Sequence, residues 1–583
     1  MSATPQDRNF PKRAQRVRGA GNRQLFLAVG FLQGLSLYFV SEVDWFAQRP
    51  VLGYALRMIV WAWPVLFLMT YRAGRVFRGA CWVSGFVALL ALLAAYIGWQ
   101  ATPAERIDEN SLETILVSST LVAGFVALLH LQATVWRTDR KYDRVFTLSW
   151  RNFLTFALSW ALMLIVWLLL YLWGLLFSVI GIEYFEELFE QEWFRMPALA
   201  TVFAFGLSIF SPATSLLDRI ASLLERLMWL LLPLTVLITT LFLLSIVFTG
   251  LQSFLETERG IGLLMTLNLM ALFFLNATYQ TGAKNPYPKM VHRLVSGGLL
   301  LLPVVSLLAL WGVAARVIEH GWMLGRCWAA FVLGLAAVFS SAYAYAIVRR
   351  REAWPSHLAN VNKPMSWVLL VALLLTCTPL LDFRVITTQN QFARIESGRL
   401  ALDEISFRPT SDGRFNWWAA QTYLARPAYL RMQALAASIE DSDPGRASRL
   451  RVLIGDEEQP AGWTERQLQN MVLRPEPFEI PEGLDEAVMG RGSEIPDVLF
   501  RVDLGGDRQA EYVTVFFDSD GQRVSALCWQ QNGTTWQLCG DVWLRSDSPE
   551  ALFEQITGAD FEAIKPDSPY KNLRIGDLVL DFN

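Results

Sequence analysis

The residues best placed to do chemistry are few, and each has a plain structural alternative. Asp503-Leu-Gly-Gly-Asp507-Arg-Gln-Ala-Glu511 spaces three carboxylates along a Gly-containing segment between candidate strands, much as calcium loops gather their oxygens. Gly505 occupies the middle ligand position, and Arg508 stands where such loops want Gly. Asp503, Asp507 and Glu511 are therefore a calcium candidate short of oxygens, set beside the reading as a structural turn. Glu183, Glu186, Glu187 and Glu190, with Glu192, alternate at helical spacing with Phe185, Leu188, Phe189 and Trp193. That is the pattern of an amphipathic helix lying on a membrane surface. Its carboxylates could hold cations or polyamines, or form a solvated face that enforces topology.

The four histidines, His130, His292, His320 and His357, stand apart in sequence from one another and from the Cys528/Cys539 pair. No zinc spacing results. His130 lies inside an apolar stretch, where an ionisable group is a functional candidate by default. No phosphate-binding glycine loop and no nucleophile elbow occurs. No catalytic set, metal or cofactor is expected, and a net charge of −3 gives no general bias toward nucleic acid.

The elements that would position these residues are dominated by apolar helices. Hydrophobic residues make up 53% and charged residues only 18% of the 583, against about 25% charge in ordinary globular chains. A span needs about 20 mostly apolar residues. Eleven stretches fit: Leu25–Val40, Leu52–Thr70, Cys81–Trp99, Ile115–Trp136, Phe153–Ile180, Ala198–Phe210, Leu227–Phe248, Gly260–Tyr279, Val295–Val313, Cys327–Val348 and Trp367–Leu381. Met1–Arg23 is polar and basic, and the first stretch reads as a signal anchor rather than a cleaved signal. Lys and Arg recur in every second loop, at Arg72, Arg75 and Arg78, at Arg137 to Arg144, at Arg219 and Arg226, at Lys284 to Arg293, and at Arg349 to Lys363. By the positive-inside rule the N-terminus is cytoplasmic, and an odd number of spans puts the C-terminus in the periplasm.

The expected organisation is a basic tail over 1–24, a transmembrane helical domain over 25–382, and a periplasmic α+β domain over 383–583. In the last, Val385–Leu402 has the spacing of a surface helix leaving the membrane, and Asn416–Ile439 that of a helix kinked at Pro427. Asp497–Asp503, Tyr512–Phe517, Arg523–Gln530 and Thr535–Arg545 read as an antiparallel meander, followed by a helix near Pro549–Ile556. A hairpin turning over Asn532–Thr535 sets Cys528 directly opposite Cys539, so a cross-strand disulfide is expected. Cys81, Cys327 and Cys377 read as packing residues within spans.

Several segments resemble one family of bacterial inner-membrane proteins, catalogued as domain of unknown function 4153. They are RNFLTFALSWALMLIVWLLLYLWGLLFSVIGI from Arg151, LLERLMWLLLPLTVLITTLFLL from Leu223, and TPLLDFRVITTQNQFARIESGRL from Thr378. VDLGGDRQAE from Val502 resembles an Asp/Gly-rich loop in the same family's tail, departing at Gly505 and Arg508. The resemblance implies the bacterial inner membrane and no established activity. The expectation drawn from the whole is a non-enzymatic envelope scaffold, sensor or accessory subunit. Its partners would be the lipid bilayer and a periplasmic or inner-membrane protein. The alternatives are a transporter or flippase for a lipid-linked or amphipathic substrate, and a membrane transferase acting on lipid-linked sugars.

Overall fold

The computed structural model describes residues 12–103, 107, 109–136, 142–250, 258–279, 285–407, 414–457, 471–475, 478, 480–489, 496–504, 510–517, 523–532, 535–545, 555–556, 561–564, 572–575 and 578–580. Asp507 lies outside them, as do Gly505, Arg508, Arg137, Arg140 and most of the helix expected near Pro549. The chain divides into two compact units. One is Met1–Arg399 with Gln421–Arg431, and the other Leu400–Ala420 with Met432–Asn583.

The first unit is all helix: α1 (Lys12–Glu42), α2 (Pro50–Thr70), α3 (Val76–Gln100), α4 (Glu109–Trp136), α5 (Tyr142–Val179), α6 (Tyr184–Glu190), α7 (Glu192–Phe210), α8 (Thr214–Thr249), α9 (Glu258–Tyr279), α10 (Lys289–Leu299), α11 (Leu302–His320), α12 (Leu324–Arg350), α13 (Leu358–Leu375) and α14 (Phe383–Glu396). Ten segments among the described residues are long and apolar enough to cross a membrane, which marks a multi-pass membrane protein. Ten segments replace the eleven expected stretches because Leu324–Leu375 continues through both of the last two. A 3-10 turn at Arg351–His357 carries the chain between them, entered through a left-handed Arg351 at φ 50°. The last helix stops at Leu375, short of the expected Leu381, because Thr378-Pro379 disfavours helical backbone.

Only 6% of the most apolar window of α5 is buried, and it presents Leu164, Leu168, Leu172 and Leu176 outward. Such a face suits hydrocarbon, which demands backbone groups paired within the helix and leaves side chains free to be apolar. Packing inside the bundle falls into two groups. Phe26, Phe67, Val87, Leu131 and Leu207 centre one, drawn from α1 to α4 and α7. Leu232, Phe274, Leu299, Tyr343 and Trp354 centre the other, drawn from α8 to α12 and the turn after it. In the first group α1 packs on α7 through Gly30 and Gly34. A Cβ on Gly30 would stand 2.5 Å from that of Ala204, and one on Gly34 would overlap Pro197 and the Met196 carbonyl. Small residues four apart let two backbones approach this closely. Helix α13 returns to the first group, setting Leu370 among Ala123, Val126 and Ala127 of α4.

The expected surface helix Val385–Leu402 is α14, and it lies in the first unit with Arg384, Thr387, Thr388 and Gln391 buried. This corrects the reading of a surface helix: its inward face is mixed, with Phe383 and Phe392 buried beside the polar groups.

The second unit contains a five-stranded mixed sheet in the order β1 (Val472–Arg474), β2 (Val498–Val502), β3 (Glu511–Phe517), β4 (Arg523–Asn532) and β5 (Thr535–Arg545). Strands β2 to β5 form the antiparallel meander, and β1 adds to it in parallel. Both faces are covered. Val513, Val515, Val524 and Ala526 point to one core, and Tyr512, Phe516, Leu499 and Trp529 to another. Coverage on both sides explains why these strands read as apolar runs. A separate sheet joins β6 (Phe561–Ile564), β7 (Asn572–Ile575) and β8 (Leu578–Leu580), none of which the sequence pattern had indicated.

Cys528 and Cys539 are bonded, with Cα atoms 5.2 Å apart. They are not directly opposite, as expected from the turn. Cys528 pairs with Gly540 and Trp529 with Leu538, so Cys539 is the extra residue of a bulge. A bulge of this kind lets two residues on one strand face one on its neighbour. Closing so short a loop removes about 3 kcal/mol of denatured-chain entropy. Replacing both cysteines by serine is expected to lower the domain's unfolding free energy by about that amount, read by denaturant unfolding of matched oxidised samples.

Candidate functional site

Buried polar groups concentrate where the last apolar helix gives way to α14. Asp382 caps that helix, its Oδ1 accepting the Arg384 backbone N–H at 3.0 Å. The same carboxylate receives Arg384 Nε at 2.9 Å on Oδ1 and Nη2 at 2.8 Å on Oδ2. Both side chains are only 2% exposed. Helix α3 completes the shell: Tyr96 donates to Oδ2 at 2.9 Å, and Gln100 Nε2 donates to the Tyr96 hydroxyl at 2.7 Å. A buried charge pair persists only when its geometry and extra hydrogen bonds offset desolvation, and the bidentate fork with these donors meets that condition.

Two to three turns further along, α14 engages the second helix group. Gln391 Nε2 donates to the carbonyls of His320 and Trp322, both at 2.9 Å. Asn390 Oδ1 accepts the Trp322 N–H at 2.8 Å, and Arg394 Nη2 donates to the Glu319 carbonyl at 2.8 Å. The corner needs Gly321, which sits at φ +77° with Asn390 Oδ1 2.6 Å from where a Cβ would be. The block from Asp382 to Arg394 thus ties α3 of one helix group to the corner between α11 and α12 of the other. Arg384 Nη1, Gln100 Oε1, Thr388 Oγ1 and Gln391 Oε1 are buried with no hydrogen-bond partner among the described residues.

Chemically this is a clamp. The Asp382 carboxylate is occupied on both oxygens by protein donors, so no lone pair is offered for proton abstraction or metal binding.

The candidates named from sequence lie elsewhere. His130 is half-buried, its Nε2 3.2 Å from Ser366 Oγ and its ring stacked on Trp367 at 4.1 Å. Glu183 precedes the short helix α6, which carries Glu186, Glu187 and Glu190. That helix stops at an extended Gln191 instead of running to Arg195. Its anchor is aromatic, with Phe185 against Trp173 and Phe177 and Phe189 against Trp173. Glu511 is 3% exposed, and its Oε2 accepts the Leu504 N–H at 2.6 Å. One of the proposed calcium oxygens is therefore engaged in holding the turn together. Among the described residues no three His, Cys, Asp or Glu side chains gather as a metal would require.

Two asparagines in spans are likewise engaged in helix pairing. Asn268 Nδ2 donates to the Leu302 carbonyl and Ser306 Oγ at 3.0 and 2.6 Å. Asn276 Oδ1 accepts from Tyr343 and from Asn362 Nδ2 at 3.0 and 2.7 Å.

The sequence reading passed over the Asp382 block because it took Asp382 as a change of composition. The signal was present in the spacing. Arg384, Thr387, Thr388 and Gln391 repeat at the helical period usually looked for only in apolar residues. Compared with models of known families, with curated proteins and with solved structures, the chain matches none.

Removing one charge should leave the other buried and uncompensated. Arg384→Met alone is expected to destabilise the bundle by about 3–5 kcal/mol, and Arg384→Met with Asp382→Leu to recover most of that loss. Thermal unfolding of the purified full chain in one detergent measures both. Equal stability of the single variant and the parent would refute the clamp.

Proposed function

We propose that the chain is a bacterial inner-membrane scaffold or sensor of the family its Thr378–Leu400 block resembles. Its helical unit sits in the bilayer with the N-terminus cytoplasmic, and its second unit binds an envelope partner in the periplasm. The observation that carries this reading is the Cys528–Cys539 bond within a folded sheet, since such bonds form and last in oxidising compartments. Two further features support it. Basic residues alternate from loop to loop in the sense of the positive-inside rule. The bundle's polar side chains at buried Asp382 and Asn268 and half-buried Asn276 bind other helices, as fits an anchor.

A transporter or flippase is the second reading, favoured by a partly polar hollow of about 200 Å³ between α1, α2, α4, α5, α7 and α8. That volume is below the roughly 300–1,000 Å³ of sites that enclose whole drug-sized ligands.

Alkaline phosphatase joined after Asn583 should be active, and joined after Arg350 inactive; the reverse pattern would sink the topology. A chain ending at Gly413 should fail to complement a null strain while accumulating in the membrane. Full complementation by it would end the scaffold reading.

A further inference from the structure

The hollow just mentioned is lined by the ends of α2, α4 and α7, the start of α8, the N-terminal part of α5 and Phe26, midway along α1. Basic residues lie near these ends in sequence: Arg72 and Arg75 between α2 and α3, Arg137 to Arg144 between α4 and the first turn of α5, and Arg219 in the second turn of α8. Arg75 and Arg72 reach the carbonyls of Val135 and Trp136 at 3.0 and 3.4 Å, which brings both guanidinium groups to the Trp136 rim.

Phe26, Leu68, Met69, Leu148 and Leu207 make one part of the lining apolar, and Gln132, Arg151, Asn152, Thr155, Ser211 and Thr214 make the other polar. Gln132 and Asn152 fix each other by a reciprocal amide pair at 3.0 and 2.8 Å, and Gln132 also donates to the Met69 carbonyl at 2.9 Å. This leaves Asn152 with one unused N–H. Arg151 gives Nε and Nη2 to Asp218 at 2.9 and 2.7 Å, so Nη1 remains. Thr214 opens the 36-residue helix α8, whose first turn has no side-chain cap; the Leu216 N–H is given to the Ala213 carbonyl at 3.1 Å, which leaves those of Thr214 and Ser215 to carry the positive end of the dipole.

Thr155 is the informative residue. Thr70, Thr120, Thr201 and Thr239 each place the hydroxyl on the carbonyl one turn back, as threonine in an apolar helix usually does. Thr155 lines the hollow, is only 5% exposed, and has no hydrogen-bond partner among the described residues. Its hydroxyl and those of Ser211 and Thr214 border the same space as Arg151 and Asn152.

We propose that this hollow binds a phosphate ester at the membrane surface, the headgroup phosphate of an anionic lipid being its membrane source. Hydroxyls, an amide N–H, a guanidinium and a helix N-terminus together present donors to one space, the chemistry that phosphate oxygens accept. Asp218 opposes an anion, but both its oxygens face Arg151. Basic pockets between helix ends collect anionic headgroups in this way. The apolar part of the lining suits the glycerol end of such a lipid. This goes beyond the scaffold reading and stands or falls apart from it.

The test is native mass spectrometry of the full chain in detergent, offered phosphatidylglycerol, phosphatidylcholine or soluble glycerol 3-phosphate at matched concentrations. Phosphatidylglycerol should be retained about fivefold or more over phosphatidylcholine. Thr155→Val, which keeps the shape, and Arg151→Gln with Asp218→Asn, which keeps the pair uncharged, should each reduce that preference. Unchanged melting temperatures of the lipid-free variants serve as the folding control. Binding of glycerol 3-phosphate alone, lost in the same variants, would keep the phosphate site and assign it a soluble source. Equal retention of both lipids with no glycerol 3-phosphate bound would overturn the proposal. So would a preference unchanged in both variants.

Discussion

Hydrocarbon offers no hydrogen-bond partner, so every polar group carried into it must bring one along. In helices the backbone meets this rule by itself, and the side chains show how far it reaches. Threonines bond back to their own helix. Gln132 and Asn152 bond to each other. Gln33, on α1, finds the Val60 carbonyl of α2 at 3.2 Å. Each such bond fixes the rotation of one helix against another, which apolar contact alone leaves loosely defined because lipid tails compete with it on equal terms.

The Asp382 block is the same rule applied to full charges. A carboxylate and a guanidinium, both nearly inaccessible, are held by groups from α3 and by their own helix. The next turns of that helix take up the free carbonyls of the corner at Glu319 to Trp322. Two groups of helices with separate cores thereby share one polar joint. Gln421–Arg431, much later in the chain, also belongs to this unit. There Arg426 lies over Trp99 and donates to the Thr102 carbonyl at 3.0 Å. The helix carrying it, Trp417–Ser438, breaks at Ala425. The proline expected to kink it stands two residues on, at Pro427.

What could be read from the sequence followed from period and length. Apolar stretches of span length, β3 and β5 to their approximate ends, and the pairing of two cysteines were all legible there. Single residues decided what was not. Arg351 and Pro379 set where helices stop; the Arg349–Arg351 run ends an apolar stretch, but hydropathy does not show the left-handed turn taken at Arg351. Cys539 sits in a bulge, which a strand alternation cannot reveal before the register is known. β1 is three residues long and pairs in parallel with a strand that follows it at a distance. In α14 apolarity points correctly to buried Phe392 but not to Arg384, Thr387, Thr388 and Gln391 buried beside it. In the candidate hollow, Thr155 is visible in the sequence only as a member of an apolar run, since what distinguishes it is a bond it does not make.

The close seat of α1 on α7 bears on biogenesis. Gly34 meets Pro197 and Met196, yet the ribosome delivers α2 to α5 into the bilayer before that partner exists. The nascent first helix must therefore wait with its glycine notch facing lipid or the insertion machinery. A chain stalled before Phe210 keeps that notch open. An unfilled notch of this kind distinguishes an unfinished chain from a finished one.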